Sequence, residues 1–220
     1  MPQWYDDIAA ALSTHGLMAR GAFHPGPADG APAGAGTVLL AGNAGPAMWE
    51  AFAAEMPAGH DPLDAWCGAV LEDIAQRFEA TALLPSDGPP YLPFQRWAMR
   101  AEDVYRSPLG ILIDPRFGLW HGYRGALAFP GRLAPPPRAA RANPCETCAG
   151  RPCLSACPVA AFGEDGYDVP ACATHLRTPA GADCMALGCR ARRACPVGRD
   201  HVYGAAQAAF HMRAFLAARG

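Results

Sequence analysis

The sequence predicts an α+β domain, a sheet packed with helices, followed by a small cysteine-rich module. Three observations carry that prediction. Helix-like and strand-like apolar patterns alternate over the first 131 residues, and the nine cysteines split one against eight, with the eight crowded into 145–195. Between the two regions lies PGRLAPPPRAARANP (130–144), whose prolines and small residues read as an extended connector. The boundaries are therefore a domain over 1–131, a connector over 132–144 and a module over 145–220. A chain of 220 residues has room for this and excludes a large multidomain machine.

Within the first region, 62–78 places Leu63, Trp66, Cys67, Val70, Leu71, Ile74 and Phe78 on one helical face, with Asp61 as N-cap and Pro62 in the first turn. TVLLAG (37–42), LGILI (109–113) and GALAF (125–129) are short, apolar and bounded by Gly or Pro, as buried strands are. PFQRWAMRAEDVY (93–105) is helix-like. A last helix over 202–217 has Val202, Tyr203, Ala206 and Phe210 at helical spacing, to pack on the body, cover a cofactor or meet a partner. Cys67 lies on the apolar face of its helix and reads as a small buried hydrophobe with no chemistry.

Composition narrows the function. With 51% hydrophobic and 17% charged residues the chain can bury a core. All 18 basic residues are arginine, which removes lysine Schiff-base chemistry and a P-loop lysine together. No apolar run approaches the length of a membrane span, and MPQWYDDIAA carries acids rather than a signal core, so a soluble, cytoplasmic protein with no membrane partner is expected. GAPAGAGT (30–37) precedes a strand instead of following it. GNAGP (42–46) follows one but lacks the full dinucleotide fingerprint, so each is read as a turn.

The run PCETCAGRPCLSACP spaces Cys145, Cys148, Cys153 and Cys157 as C-x2-C-x4-C-x3-C-P. This is close to bacterial-type ferredoxin ligation, in which three near thiolates hold one 4Fe-4S cube and the fourth ligates the other. Cys172, Cys184, Cys189 and Cys195-Pro196 repeat the idea more loosely. By the exchange rule Cys145, Cys148 and Cys153 with Cys195 hold one cluster, and Cys172, Cys184 and Cys189 with Cys157 the other. A disulfide framework fits poorly in a reducing compartment. Structural zinc could be built from eight cysteines, but the two Cys-Pro endings are ferredoxin-like. Residues 1–131 hold 7 Arg against 14 Asp and Glu, while 132–220 hold 11 Arg against 6. Two anionic clusters account for that basic tail, since Arg151, Arg190, Arg192, Arg193 and Arg199 all lie near proposed ligands, and a nucleic-acid partner is not required.

GTVLLAGNAGPAMWEAF (36–52), DPLDAWC (61–67) and GILIDPRFGLWHGYRGALAFPG (110–131) resemble the cobalamin-processing CblC family of cyanocobalamin decyanases and alkylcobalamin dealkylases. The family's HPRFGGW-x-x-x-RG appears as DPRFGLWHGYRG, its TPAMF as GPAMW and its DP-x-D-x-C as DPLDAWC. The resemblance implies a nitroreductase-related fold and a corrinoid ligand. Phe117, Trp120 and Tyr123 offer aromatic faces and Gly118 a close approach, which suits a broad flat ring, with Arg116 and Arg124 for polar groups at its rim. Equally, these aromatics read as core at a strand pair. The chain departs from the family at Asp114, which replaces the histidine, and at Leu119, which replaces the second glycine. His121 and His24 (AFHPGP) read as surface or packing residues, because the family is thought to bind cobalamin without its lower base.

The cysteine-rich tail is absent from CblC proteins but similar in layout to epoxyqueuosine reductases and reductive dehalogenases, which place two 4Fe-4S clusters after a cobalamin-binding domain. The combined resemblance implies an iron–sulfur-dependent cobalamin reductase, an oxidoreductase that removes the upper axial ligand, cyanide or an alkyl group. Its electrons would come from an external low-potential donor such as a ferredoxin, flavodoxin or flavin reductase. Two alternatives stay open: a reductase that uses cobalamin on another substrate such as a modified tRNA base, and a non-enzymatic electron carrier or cobalamin chaperone.

Overall fold

A computed structural model describes residues 1–163 and 166–219. In chain order its elements are α1 (Gln3–Ser13), β1 (Met18–Phe23), β2 (Thr37–Ala44), α2 (Ala47–Glu55), α3 (Pro62–Arg77), β3 (Thr81–Leu83), α4 (Phe94–Ala101), β4 (Tyr105–Arg106), β5 (Leu112–Ile113) and β6 (His121–Phe129). There follow α5 (Pro152–Ser155), β7 (Phe162–Gly163), β8 (Gly166–Tyr167), α6 (Val169–Leu176), α7 (Ala182–Leu187), α8 (Arg190–Arg193) and α9 (Ala205–Ala217). The class is α+β. The chain divides into two compact units, the first Met1–Asp103 with His121–Arg141, the second Val104–Trp120 with Ala142–Gly220.

The first unit is built on a four-stranded antiparallel sheet of order β1-β2-β6-β3. Val38, Leu39, Leu40 and Ala41 of β2 are fully buried, as a central strand covered on both faces must be. The predicted helix over 62–78 is α3, and its Leu63, Trp66, Cys67, Leu71 and Ile74 are buried. Gly125 of β6 lies under it: a Cβ there would stand 2.2 Å from Leu71 Cδ1, so only glycine lets helix and strand meet this closely. Asp61 occupies the N-cap position of α3 as expected, but its side chain makes no capping hydrogen bond; its Oδ2 lies 3.0 Å from His60 Nδ1 instead. The helix expected over 93–105 stops at Ala101. Trp97 within it is fully buried and donates Nε1–H to the Asp29 carbonyl at 2.8 Å. Expectation had nothing for α1, which buries Tyr5, Ile8, Ala11 and Leu12, or for β1.

Much of the proline-rich stretch belongs to this unit and is not a free linker. Leu133 donates N–H to Thr37 Oγ1, which donates to the Gly131 carbonyl, both at 2.8 Å, and Trp4 Nε1 donates to the Ala134 carbonyl at 3.0 Å. His24 spends both ring nitrogens here, Nε2 on the Leu133 carbonyl and Nδ1 on Arg132. Asp103 accepts from Arg141 N at 3.0 Å and pairs with Arg138 at 2.8 Å.

The Arg141 N–H, working against burial, and the Arg138 guanidinium hold the Asp103 carboxyl below the usual carboxylate range. A depressed carboxyl contributes stability that is complete above the unfolded value of about 3.9 and is lost as pH falls through the folded one. Asp103→Asn is therefore expected to cost about 1–2 kcal/mol at neutral pH and to flatten the acid limb of the stability curve. Chemical denaturation across an acid pH series checks it.

The second unit takes in 104–120, which the sequence-based boundary assigned to the first domain. The reason is packing. Short cysteine loops bury too little by themselves, and Leu109, Ile113 and Leu119 form one apolar cluster with Ala191 and Cys195, against which Leu154 and Val197 pack. LGILI is thus mostly a turn followed by the two-residue β5, paired with β4. The last helix begins at Ala205, not 202, and packs on α7. Among the described residues no helix is long and apolar enough to cross a membrane.

Candidate metal centres

The second unit gathers the eight crowded cysteines into two groups. Cys145, Cys148, Cys153 and Cys195 line a cavity of about 20 Å³. Cys157, Cys172, Cys184 and Cys189 line another of about 450 Å³. This is the division that the exchange rule gives, and it crosses the chain order. The cause is local: α5 and α8, each four residues long, pack together, and each has a cysteine of both quartets on it or beside it. Cys153 lies on α5 and Cys157 follows it; Cys189 precedes α8 and Cys195 follows it.

Each loop is fixed by short-range bonds. Asn143 Oδ1 accepts from Cys145 N at 3.1 Å, and Cys157 Sγ accepts from Ala161 N at 3.3 Å. Asp168 caps α6, the helix of Cys172, by accepting from Ala171 N at 2.9 Å. Asp183 joins α7 to α8 through Arg190 at 2.6 Å and through Arg193.

Burial pushes the thiols of Cys145, Cys153, Cys195, Cys172 and Cys189 above their ordinary value, and neighbouring thiols add to it. Cys145 is raised by Cys195, Cys153 and Cys148, and Cys172 by Cys157 and Cys184. A bound cation would favour the thiolate form of these raised thiols. Among the described residues no three Cys, His, Asp or Glu side chains stand close enough to share one metal ion. A 4Fe-4S cube takes four thiolates, and each all-thiol quartet supplies that donor set.

The six residues assigned to the corrinoid fall into different units. In the second, Asp114 uses its carboxylate to accept from Arg116 N at 2.7 Å and Phe117 N at 3.1 Å, which makes the signature's Asp-Pro a turn. Phe117 is buried with its ring 4.9 Å from that of His201. Trp120 is 1% exposed, its ring 5.4 Å from Tyr203 and 4.7 Å from the Arg192 guanidinium, which also donates to the Leu119 carbonyl. Gly118 does permit a close approach, but to protein: a Cβ would stand 2.0 Å from the Val197 carbonyl oxygen, two residues past Cys195. Arg116 is exposed. In the first unit Tyr123 donates to Glu102 at 2.5 Å, beside the pair of buried Arg20 with half-buried Glu102 at 2.7 Å, and Arg124 Nε donates to Asn43 Oδ1 at 2.9 Å. Burial pushes the Cys67 thiol up to about 11, which keeps it inert.

Sequence reasoning overlooked Tyr167 and His175. Both line the second cavity, and the buried Nε2 of His175 has no hydrogen-bond partner among the described residues. Their positions beside Cys172 were the available signal. No family model matches the chain, and no curated protein matches it significantly.

Proposed function

We propose that the protein is an iron–sulfur-dependent cobalamin reductase that removes the upper axial ligand of a corrinoid. One observation carries the redox half of this reading: eight cysteines lie in two all-thiol quartets whose members cross the chain order as in a two-cluster ferredoxin. When bound, the two 4Fe-4S clusters supply one-electron transfer. The chain's own residues hold them and offset negative charge with Arg151, Arg190 and Arg192, which line the cavities.

The corrinoid half rests on the CblC-like signature. Arg124, in the first unit, supplies a guanidinium group for amides or phosphate at the ring's edge. Phe117, Gly118 and Trp120 maintain the turn, and Tyr123 its hydrogen bond to Glu102. The substrate step balances with one electron: cyanocobalamin accepts it at cobalt, Co(III) becomes Co(II), and cyanide leaves as the anion with the Co–C electron pair. An external low-potential carrier must supply that electron.

The test is anaerobic reconstitution, reduction and addition of excess cyanocobalamin while the spectrum is followed. Multiple-turnover appearance of Co(II) corrinoid is expected, and fully loaded protein that leaves cyanocobalamin intact defeats the reading. The burial of Phe117 and Trp120 favours one competing reading, an electron carrier that needs no flat ligand on those rings. Such a carrier stops after the equivalents it holds are spent.

A further inference from the structure

We propose that Tyr167 sets the second cluster's potential above the first by donating its hydroxyl hydrogen to the Cys172 thiolate. The inference rests on reading the quartets as 4Fe-4S sites. Tyr167 ends β8, directly before the helix that carries Cys172, and both residues line the larger cavity. Its ring is stacked on Phe162 at 4.6 Å with an interplanar angle of 16°, and near Phe215 at 6.2 Å and 26°, so the position of the hydroxyl is set by packing. Five positions apart in sequence and lining one cavity, the two side chains are placed for the hydroxyl to reach the Cys172 sulfur.

A hydrogen bond to a ligating thiolate withdraws electron density and stabilises the reduced, more negative cluster, which raises its potential. The quartets differ in this respect. The second also takes the Ala161 N–H on Cys157, whereas among the described residues no hydroxyl-bearing side chain lines the first cavity. The second cavity is the more accessible too. Ile111, Val159 and Tyr167 line it and are 40%, 37% and 37% exposed, which places them at a mouth open to solvent. Exposure acts in the same direction as the hydrogen bond. An electron that enters the module therefore comes to rest on the second cluster.

The test is a redox titration followed by electron paramagnetic resonance on anaerobically reconstituted Cys148→Ala protein, which keeps the second quartet whole, with and without Tyr167→Phe. At a fixed potential the reduced-to-oxidised ratio is expected to fall about tenfold in the phenylalanine chain, a drop of about 59 mV for a one-electron couple. An unchanged potential with the cluster present overturns the inference. A wild-type chain that takes up no iron overturns the cluster reading itself, and the inference with it. Should Tyr167→Phe lose its cluster, 3-fluorotyrosine placed at position 167 decides: its more acidic hydroxyl is a stronger donor and is expected to raise the potential, and an unchanged potential refutes the role of the hydroxyl.

Discussion

Cys153→Ala/Cys157→Ala protein is expected to retain almost no iron, while Cys153→Ala/Cys195→Ala protein retains about four of about eight irons per chain. The difference follows from the crossed quartets. Cys153 and Cys157 are four residues apart but line different cavities, whereas Cys153 and Cys195 are 42 apart and line the same one. Removing two ligands from one site costs no more iron than removing one, so Cys153→Ala alone should match the second variant. A module that ligated its clusters in chain order would give the reverse result, with four irons in the first variant and none in the second. Iron and sulfide analysis of anaerobically reconstituted protein separates the two patterns.

The second large effect is expected at Gly118. Alanine there would put Cβ 2.0 Å from the Val197 carbonyl oxygen and 2.6 Å from its carbon, at a backbone φ of +58°. The left-handed conformation costs about 1–2 kcal/mol for a non-glycine residue, and displacement of packed backbone adds about 1–3 kcal/mol. The segment that must move begins at Cys195, so loss of the first cluster should accompany the loss of stability. Gly110→Ala is the control: φ is +76°, yet nothing lies within 4 Å of its Cβ position, so only the conformational cost applies. Thermal unfolding and iron content of both variants check this. Equal behaviour of the two would show that the contact between the signature turn and the Cys195 loop carries no weight.

The parts of the fold legible in the sequence are those where one periodicity dominates. Leu63, Trp66, Val70 and Ile74 mark α3 because one face is buried along its whole length, and the TVLL and GALAF runs mark β2 and β6 because both faces of the central strands are covered. The grouping of the cysteines was legible because ligand spacing is a local code. LGILI misled because apolar character reports burial and not its cause: Leu109 and Ile113 are apolar to cover the cysteine loops, and Gly110 turns the chain between them. The proline-rich stretch looked free because its anchors, Trp4, His24, Thr37 and Asp103, lie 30 or more residues away in sequence and hold it by scattered hydrogen bonds that leave no pattern. In the same way the aromatics of the DPRFGLW turn were readable as a ligand platform, since composition does not reveal that His201, Tyr203 and Arg192 occupy their faces.

The proposal that two cubes occupy the two quartets is tested most directly by native mass spectrometry of protein purified without oxygen. The expected spectrum shows the chain carrying the mass of two Fe4S4 cores, falling to one core in Cys172→Ala. A chain heavier by two zinc ions, or lighter than the reduced polypeptide by the hydrogens lost to disulfides, would contradict it.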